Sequence, residues 1–178
     1  MGKNWDDIRE LAGRYAGENL LGGMNCAESV YEACIRSGAL DAPLDTVAYA
    51  TGFGGGGGCA GLTCGALAGA ILANGAAHGR KDPAGIPEGI RRKMLRERIY
   101  KRYNSIVSAF LKENGSGLCR EFSERFGSYG DEAFRENCVK MCGDAARIAV
   151  DSLRMDADEA AGLEYDMSAI GIIGWTPE

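Results

Sequence analysis

Residues 51–75 read TGFGGGGGCAGLTCGALAGAILANG. Five consecutive glycines, Gly54 to Gly58, run into Cys59. They are followed by Thr63-Cys64-Gly65-Ala66-Leu67-Ala68-Gly69, where every side chain but Leu67 is small, and no charge appears in the stretch. Glycine is used where backbone must approach something closely or take up φ > 0. Two nucleotide-binding readings of the run fail. A P-loop needs Gly-Lys-Ser/Thr after its glycines, and here Gly-Cys-Ala follows. A dinucleotide turn needs a preceding strand and a parallel sheet, and no good alternating apolar pattern occurs in the chain. The reading that survives is all-α: a single-domain bundle of about six helices, with a glycine-rich loop before a central helix.

Composition agrees with a folded domain. The chain has 178 residues, 46% of them hydrophobic, enough for a real core. A net charge of −5 argues against a general nucleic-acid binder. The opening MGKNWDDIRELAGRYA carries acidic residues where a signal peptide needs an apolar run, and Asp6 stands where a myristoylation signal needs Ser or Thr. No apolar run reaches the length of a membrane span. The expected setting is cytoplasmic. Seven cysteines (Cys26, Cys34, Cys59, Cys64, Cys119, Cys138 and Cys142) in a reducing compartment point to metal binding or thiol redox chemistry. Inert buried thiols are the competing reading for any one of them.

The chain divides into helices with recognisable ends. Asn4 caps a helix running to Leu21, ended by Gly22-Gly23. Asn25-Cys26-Ala27-Glu28 is a capping-box pattern, which places Cys26 at the first helical position beside free backbone N–H groups that favour a thiolate. Cys34, two turns on, reads as core. A short helix is expected from Leu44 to about Ala50. After the glycines, Thr63 is expected to cap a helix from Cys64 to about His78. His78, the single histidine, sits at its end, where the dipole favours a protonated ring. Glu88 to Glu113 is the clearest helix, with Ile90, Met94, Ile99, Tyr103, Ile106, Val107, Phe110 and Leu111 as its inner stripe. The basic residues within 91–102 read as a solvated face rather than an anion site. Cys119 opens a short helix ending near Gly127. Asp131 caps a long one reaching about Arg154, on which Cys138 and Cys142 share a face. Residues 1–154 form the cysteine-containing domain. Residues 155–178 form a tail docking on the body or on a second subunit.

Cys26, Cys64 and Cys119 thus fall in first turns, and Cys138 is central on the last long helix. Three helix N-termini directed at one place would make an electropositive pocket suited to thiolates, hence to disulfide exchange or to a soft metal or cluster. Gly55, Gly56 and Gly65 supply backbone for close approach there. There is no Cys-x-x-Cys, so neither a thioredoxin-type pair nor a c-type haem site is present.

These residues in this order (Asn25-Cys26-Ala27-Glu28, Gly52-Phe53-Gly54-Gly55-Gly56, Cys64-Gly65-Ala66-Leu67-Ala68-Gly69, Cys119-Arg120-Glu121-Phe122, and Cys138 followed by Asp144-Ala145-Ala146) resemble the C_GCAxxG_C_C family of redox-active proteins. The resemblance takes the family's pattern as four cysteines around a Cys-Gly-Ala-x-x-Gly motif, which stands here at Cys64 to Gly69. The resemblance implies that Cys26, Cys64, Cys119 and Cys138 are the functional set of a helical redox or iron–sulfur domain. Cys34, Cys59 and Cys142 lie outside that set. Cys59, at the lip of the pocket, is an extra ligand, a resolving thiol or a passive loop residue, and Cys142 is a further candidate ligand.

The leading expectation is a redox-active four-cysteine centre in one of two forms. In one, the thiolates ligate an iron–sulfur cluster, with [2Fe–2S] preferred, and the protein transfers electrons. In the other, they cycle between dithiol and disulfide. The alternatives are a non-enzymatic zinc- or copper-binding protein, and a structural module with inert cysteines and the tail in a homodimer. The redox partner is not specified by the sequence.

Overall fold

The computed structural model describes residues 2–176; Met1, Pro177 and Glu178, the outer bounds of the two expected segments, lie outside the described residues. The described chain is all-α. Eight helices replace the expected six: α1 (Trp5–Leu21), α2 (Cys26–Arg36), α3 (Gly65–His78), α4 (Glu88–Met94), α5 (Tyr100–Asn114), α6 (Cys119–Phe126), α7 (Glu132–Leu153) and α8 (Ala157–Ala161). A 3-10 segment, Leu44–Phe53, carries the chain from α2 into the glycine run. Among the described residues the single β-type pairing is an isolated bridge between Thr63 and Leu118.

Helix α7 is the centre of the bundle, with α1, α2, α3 and α5 packed on it. It presents Phe134, Cys138, Met141, Cys142, Ala145, Ala149 and Leu153 as one buried stripe, because these positions recur at helical spacing. Against it α1 sets Ala12, Gly13, Ala16 and Gly17, so the two backbones approach closely. A Cβ on Gly143 would lie 3.2 Å from the Gly13 carbonyl oxygen.

The long helix read from residue 88 onwards is real but interrupted. A π-turn, Leu95–Ile99, joins α4 to α5. The extra residue of a π-turn rotates everything beyond it, so the regular stripe does not hold. Ile90 is 48% exposed, while Arg102, which lies outside the stripe, is 4% exposed. The basic run is correspondingly not a plain solvated face. Arg102 donates to the carbonyls of Ser152, Met155 and Asp156 at the C-terminus of α7. Arg91 donates to the carbonyls of Ala84 and Ile86, and Arg98 pairs with Asp158. Arg102 and Arg98 fasten the segment after α7, and Arg91 ties down the loop before α4.

That segment lies along α5. Asp156 caps α8 in a full capping box with Glu159. The Tyr165 hydroxyl donates to the Arg96 carbonyl. Asp166 accepts from Ser108 and pairs with Lys112.

Candidate functional site

The capping box predicted at Asn25 is complete. Asn25 Oδ1 accepts from the Ala27 and Glu28 N–H groups, each at 3.0 Å, and Glu28 Oε2 accepts from the Asn25 N–H at 3.0 Å. Cys26 is therefore the first residue of α2. The Asn25 amide donates to the Thr51 carbonyl and the Thr51 hydroxyl donates to Glu28, which ties the start of α2 to the chain entering the glycines.

Cys64 departs from expectation by one position. It is the N-cap of α3 rather than its first residue, and Thr63 caps nothing, because it is held in the bridge to Leu118. The Cys64 N–H donates to Gly117 O at 2.8 Å and the Cys119 N–H donates to Leu62 O at 2.7 Å. These two bonds bring the starts of α3 and α6 side by side. Cys138 and Cys142 come in from α7, and Cys142 Sγ lies 3.8 Å from the Cys26 carbonyl oxygen. Five cysteines from four helices thus face one region, with Cys59 in the loop above it.

The loop itself is left-handed. Gly55, Gly56, Gly57, Gly58 and Cys59 have φ of 62°, 74°, 89°, 57° and 68°. The turn closes through Cys59 N–H to Gly54 O at 3.2 Å, Gly61 N–H to Gly55 O at 3.0 Å and Leu62 N–H to Gly56 O at 3.0 Å. An L-residue in this conformation costs roughly 1–2 kcal/mol, so a run of glycines is what permits it. The close approach at the three glycines singled out in the sequence is to the protein itself. A Cβ would lie 3.0 Å from Cys59 Sγ at Gly55, 2.8 Å from Cys119 Cβ at Gly56, and 3.1 Å from Cys26 Cβ at Gly65.

Electrostatics separates the thiols sharply. The neighbouring Cys138 thiol, and after it the Cys142 thiol, holds the Cys26 pKa down, to about 4, against the cost of burial. Cys138 and Cys142 are pushed up, first by the neighbouring Cys26 sulfur and then by burial. Of the three, Cys26 is the sulfur favoured as a thiolate. The helix-end expectation does not carry to the other two first-turn cysteines. Burial raises Cys64 to about 12, although the Leu67 and Ala66 N–H groups act in the opposite direction. Burial also raises Cys119, helped by the negative charge of Cys26 and then of Cys59.

The remaining sequence candidates resolve simply. Cys34 is fully buried away from the cluster and is raised to about 12 by burial. His78 is not favoured as a cation: burial lowers its pKa and nearby Arg102 adds to this, outweighing the opposite effect of the Leu153 carbonyl, to which its Nε2 donates at 3.1 Å. Cys142 is the residue the sequence reading undervalued. Its shared face with Cys138 was visible, but its contact with Cys26 depends on the packing of α2 on α7.

The gathered sulfurs have the soft-donor chemistry of an iron–sulfur or zinc ligand set. As placed, they do not form one: among the described residues no group of three or more His, Cys, Asp or Glu is arranged to hold a metal ion. Cys142 Sγ is directed at the Cys26 carbonyl oxygen instead.

No helix among the described residues is long and apolar enough to cross a membrane. No curated protein and no solved structure matches the chain. A family model described as "Putative redox-active protein (C_GCAxxG_C_C)" matches residues 24–152. The letters G-C-A of that designation occur once in the chain, at Gly58-Cys59-Ala60, with Thr63 where the last glycine would stand; Cys64-Gly65-Ala66-x-x-Gly69 carries the same residue types in another order. The match takes in every cysteine of the cluster and the whole glycine turn, over well more than half of the chain, and the chain belongs to this redox-active family.

Proposed function

We propose that the protein works by thiol–disulfide exchange, with Cys26 as the nucleophilic thiolate and Cys138 or Cys142 as its internal partner. Two-electron oxidation joins Cys26 sulfur to one of these sulfurs, with loss of the partner's proton. Reduction by a dithiol, which is itself converted to a disulfide, restores both. The observation that carries this reading is the seating of the start of α2 on α7: Cys138 and Cys142 share one face of α7, Cys142 Sγ lies 3.8 Å from the Cys26 carbonyl oxygen, and the two neighbouring thiols hold the Cys26 pKa down. A thiolate with a partner sulfur in contact is what exchange requires.

The test is oxidation of the fully reduced protein with diamide, followed by peptide mapping under acid quench. A Cys26–Cys138 or Cys26–Cys142 disulfide, reversed by dithiothreitol, is the expected product. Diamide-treated protein with Cys26 still free would sink the proposal.

The competing proposal keeps the convergence of Cys26, Cys64, Cys119 and Cys138 but gives it to a [2Fe–2S] cluster, or to zinc or copper, for which the sulfurs would have to reorient around a common centre. Cys59 and Cys142 are its spare donors. Anaerobic purification with iron, sulfide and metal analysis separates the two. Stoichiometric iron with sulfide, or zinc bound through these thiols, would favour ligation over exchange. A cytoplasmic setting fits either chemistry, because both need thiols kept reduced. The redox partner of the exchange reading is a protein or small-molecule disulfide.

A further inference from the structure

Cys59 is the one non-glycine among the described residues with a positive φ. It is also the one exposed cysteine; Cys119 and Cys26 are half-buried, and Cys34, Cys64, Cys138 and Cys142 are buried. Glycine would occupy its left-handed position without strain, and its five predecessors are glycines. A strained residue at the mouth of a reactive cluster is the pattern expected of a functional position. The turn also fixes where the sulfur goes. Gly55 packs on Cys59 Sγ and Gly56 packs on Cys119 Cβ. The turn is latched to the start of α6 by the Cys119 and Arg120 N–H groups, which donate to Leu62 O at 2.7 Å and Gly61 O at 3.0 Å. Cys59 and Cys119 are therefore held by one rigid piece of backbone. Cys26 and Cys59 both raise the Cys119 pKa, so each is near enough to act on it electrostatically.

We propose that Cys59 and Cys119 form an outer pair that passes disulfide bonds between external partners and the inner trio of Cys26, Cys138 and Cys142; this rests on the exchange reading of the inner site. The Cys59 thiolate attacks an external disulfide and expels one thiolate, leaving a mixed disulfide on Cys59. The Cys119 thiol gives its proton to solvent and attacks Cys59 sulfur, expelling the second external thiolate. The Cys26 thiolate then attacks Cys119 sulfur, and Cys59 leaves as a thiolate. Cys138 or Cys142, losing its proton, attacks Cys26 sulfur and frees Cys119. In sum, one external disulfide becomes two thiols and one inner disulfide forms. Burial explains the order of the relay: Cys59 is exposed, whereas Cys138 and Cys142 are buried.

The experiment uses the reduced full chain and one equivalent of an aromatic disulfide, 5,5′-dithiobis(2-nitrobenzoate), with released thiolate followed by absorbance and bonds mapped after acid quench. The wild type should release both aryl thiolates and end with the inner disulfide. Cys119→Ser should release one and retain an aryl adduct on Cys59. Cys26→Ser should release both and stop at a Cys59–Cys119 disulfide. Cys59→Ser should lose the fast phase, yet still form the inner disulfide with diamide, which shows that it is folded and that the inner pair works. The relay is overturned if Cys59→Ser or Cys119→Ser reaches the inner disulfide at the wild-type rate with the aromatic reagent, or if Cys26→Ser forms no Cys59–Cys119 bond. The two proposals fail separately: wild-type protein in which diamide forms no Cys26 disulfide removes the inner exchange site, whatever Cys59 does.

Discussion

Gly69 of α3 lies directly on the backbone of Ala27 in α2: a Cβ at Gly69 would stand 2.6 Å from the Ala27 carbonyl oxygen and 2.9 Å from Val30 Cβ. This contact sets the distance between the two helices whose starts carry Cys64 and Cys26. Helix propensity alone makes Gly→Ala favourable by about 1 kcal/mol. The steric term has the opposite sign and meets backbone, which cannot swing away. Gly69→Ala is expected to destabilise the protein by about 1–3 kcal/mol, the usual cost of overpacking, seen as a lower midpoint in denaturant unfolding. It should also raise the pKa of Cys26, because the helix that carries it is displaced from α7.

The Cys26 thiolate gives a sharp reactivity signature. In the reduced native protein, alkylation of Cys26 by iodoacetamide should persist well into acid, with a midpoint far below the ordinary thiol value of about 8.5. Replacing both Cys138 and Cys142 by alanine should return that midpoint towards the ordinary range, since their thiols hold the charge. Mass-mapped alkylation against pH is the measurement. A midpoint unchanged in the double variant would assign the depression to the α2 terminus instead.

Burial of Cys34 makes stability fall in alkali. Its folded pKa, about 12, is raised above the reference value of 9.0, so the thiol stays neutral in the native state while the unfolded chain ionises. The unfolded state then binds fewer protons, and by linkage the unfolding free energy drops as pH rises from about 9 to about 12. Below that window the contribution is constant. Cys34→Ala should flatten this slope at a cost of about 1 kcal/mol at neutral pH from the lost packing, measured by urea unfolding at a series of pH values.

Arg102 is expected to be hard to replace. Its guanidinium satisfies three carbonyls at and beyond the end of α7 from a nearly buried position. Hydrogen bonds to charged groups contribute about 1.5–3 kcal/mol each when a partner would otherwise be stranded. Arg102→Met should therefore lower the thermal midpoint by several degrees. Arg102→Lys should rescue little, because an ammonium cannot span three divergent acceptors.

Acid should loosen the segment after α7 before it unfolds the bundle. Asp166 is held well below the ordinary carboxylate range, first by the Ser108 and Ser168 hydroxyls and then by Lys112. A depressed carboxylate contributes stability that is present above its unfolded value, near pH 4, and is lost as pH falls further. The edge-on contact of Tyr165 with Trp175 reports on that segment. In a Trp5→Phe background, the remaining tryptophan emission should change in acid at a higher pH than helical circular dichroism does. Asp166→Asn should show the changed emission already at neutral pH.

Local patterns in the sequence were enough for the all-α class, the capping box at Asn25 and the buried stripe of α7, because each is written within one or two helical turns. Three features are not local. The π-turn at Leu95–Ile99 has no compositional mark, so the stripe read through it misplaced Ile90 and Arg102. The role of Thr63 is taken by a strand-like partner, Leu118, more than fifty residues away. The thiolate preference of Cys26 over Cys64 and Cys119 depends on which sulfurs meet α7 and on how deeply each is buried. Five glycines announced an unusual backbone, but their neighbours decide what that backbone touches.

The left-handed turn has a consequence that follows from symmetry. Glycine is achiral, so residues 55–58 are as content in the mirror-image turn, and only Cys59 has a handedness of its own, which opposes the observed one. The sense of winding is thus dictated from outside, by the two amides of α6 that hold Gly61 and Leu62. The turn carries no conformational memory: a perturbation that lifts the start of α6 erases the loop's shape and releases the sulfur of Cys59 with it, so the position of one short helix sets both the form and the reach of the rim.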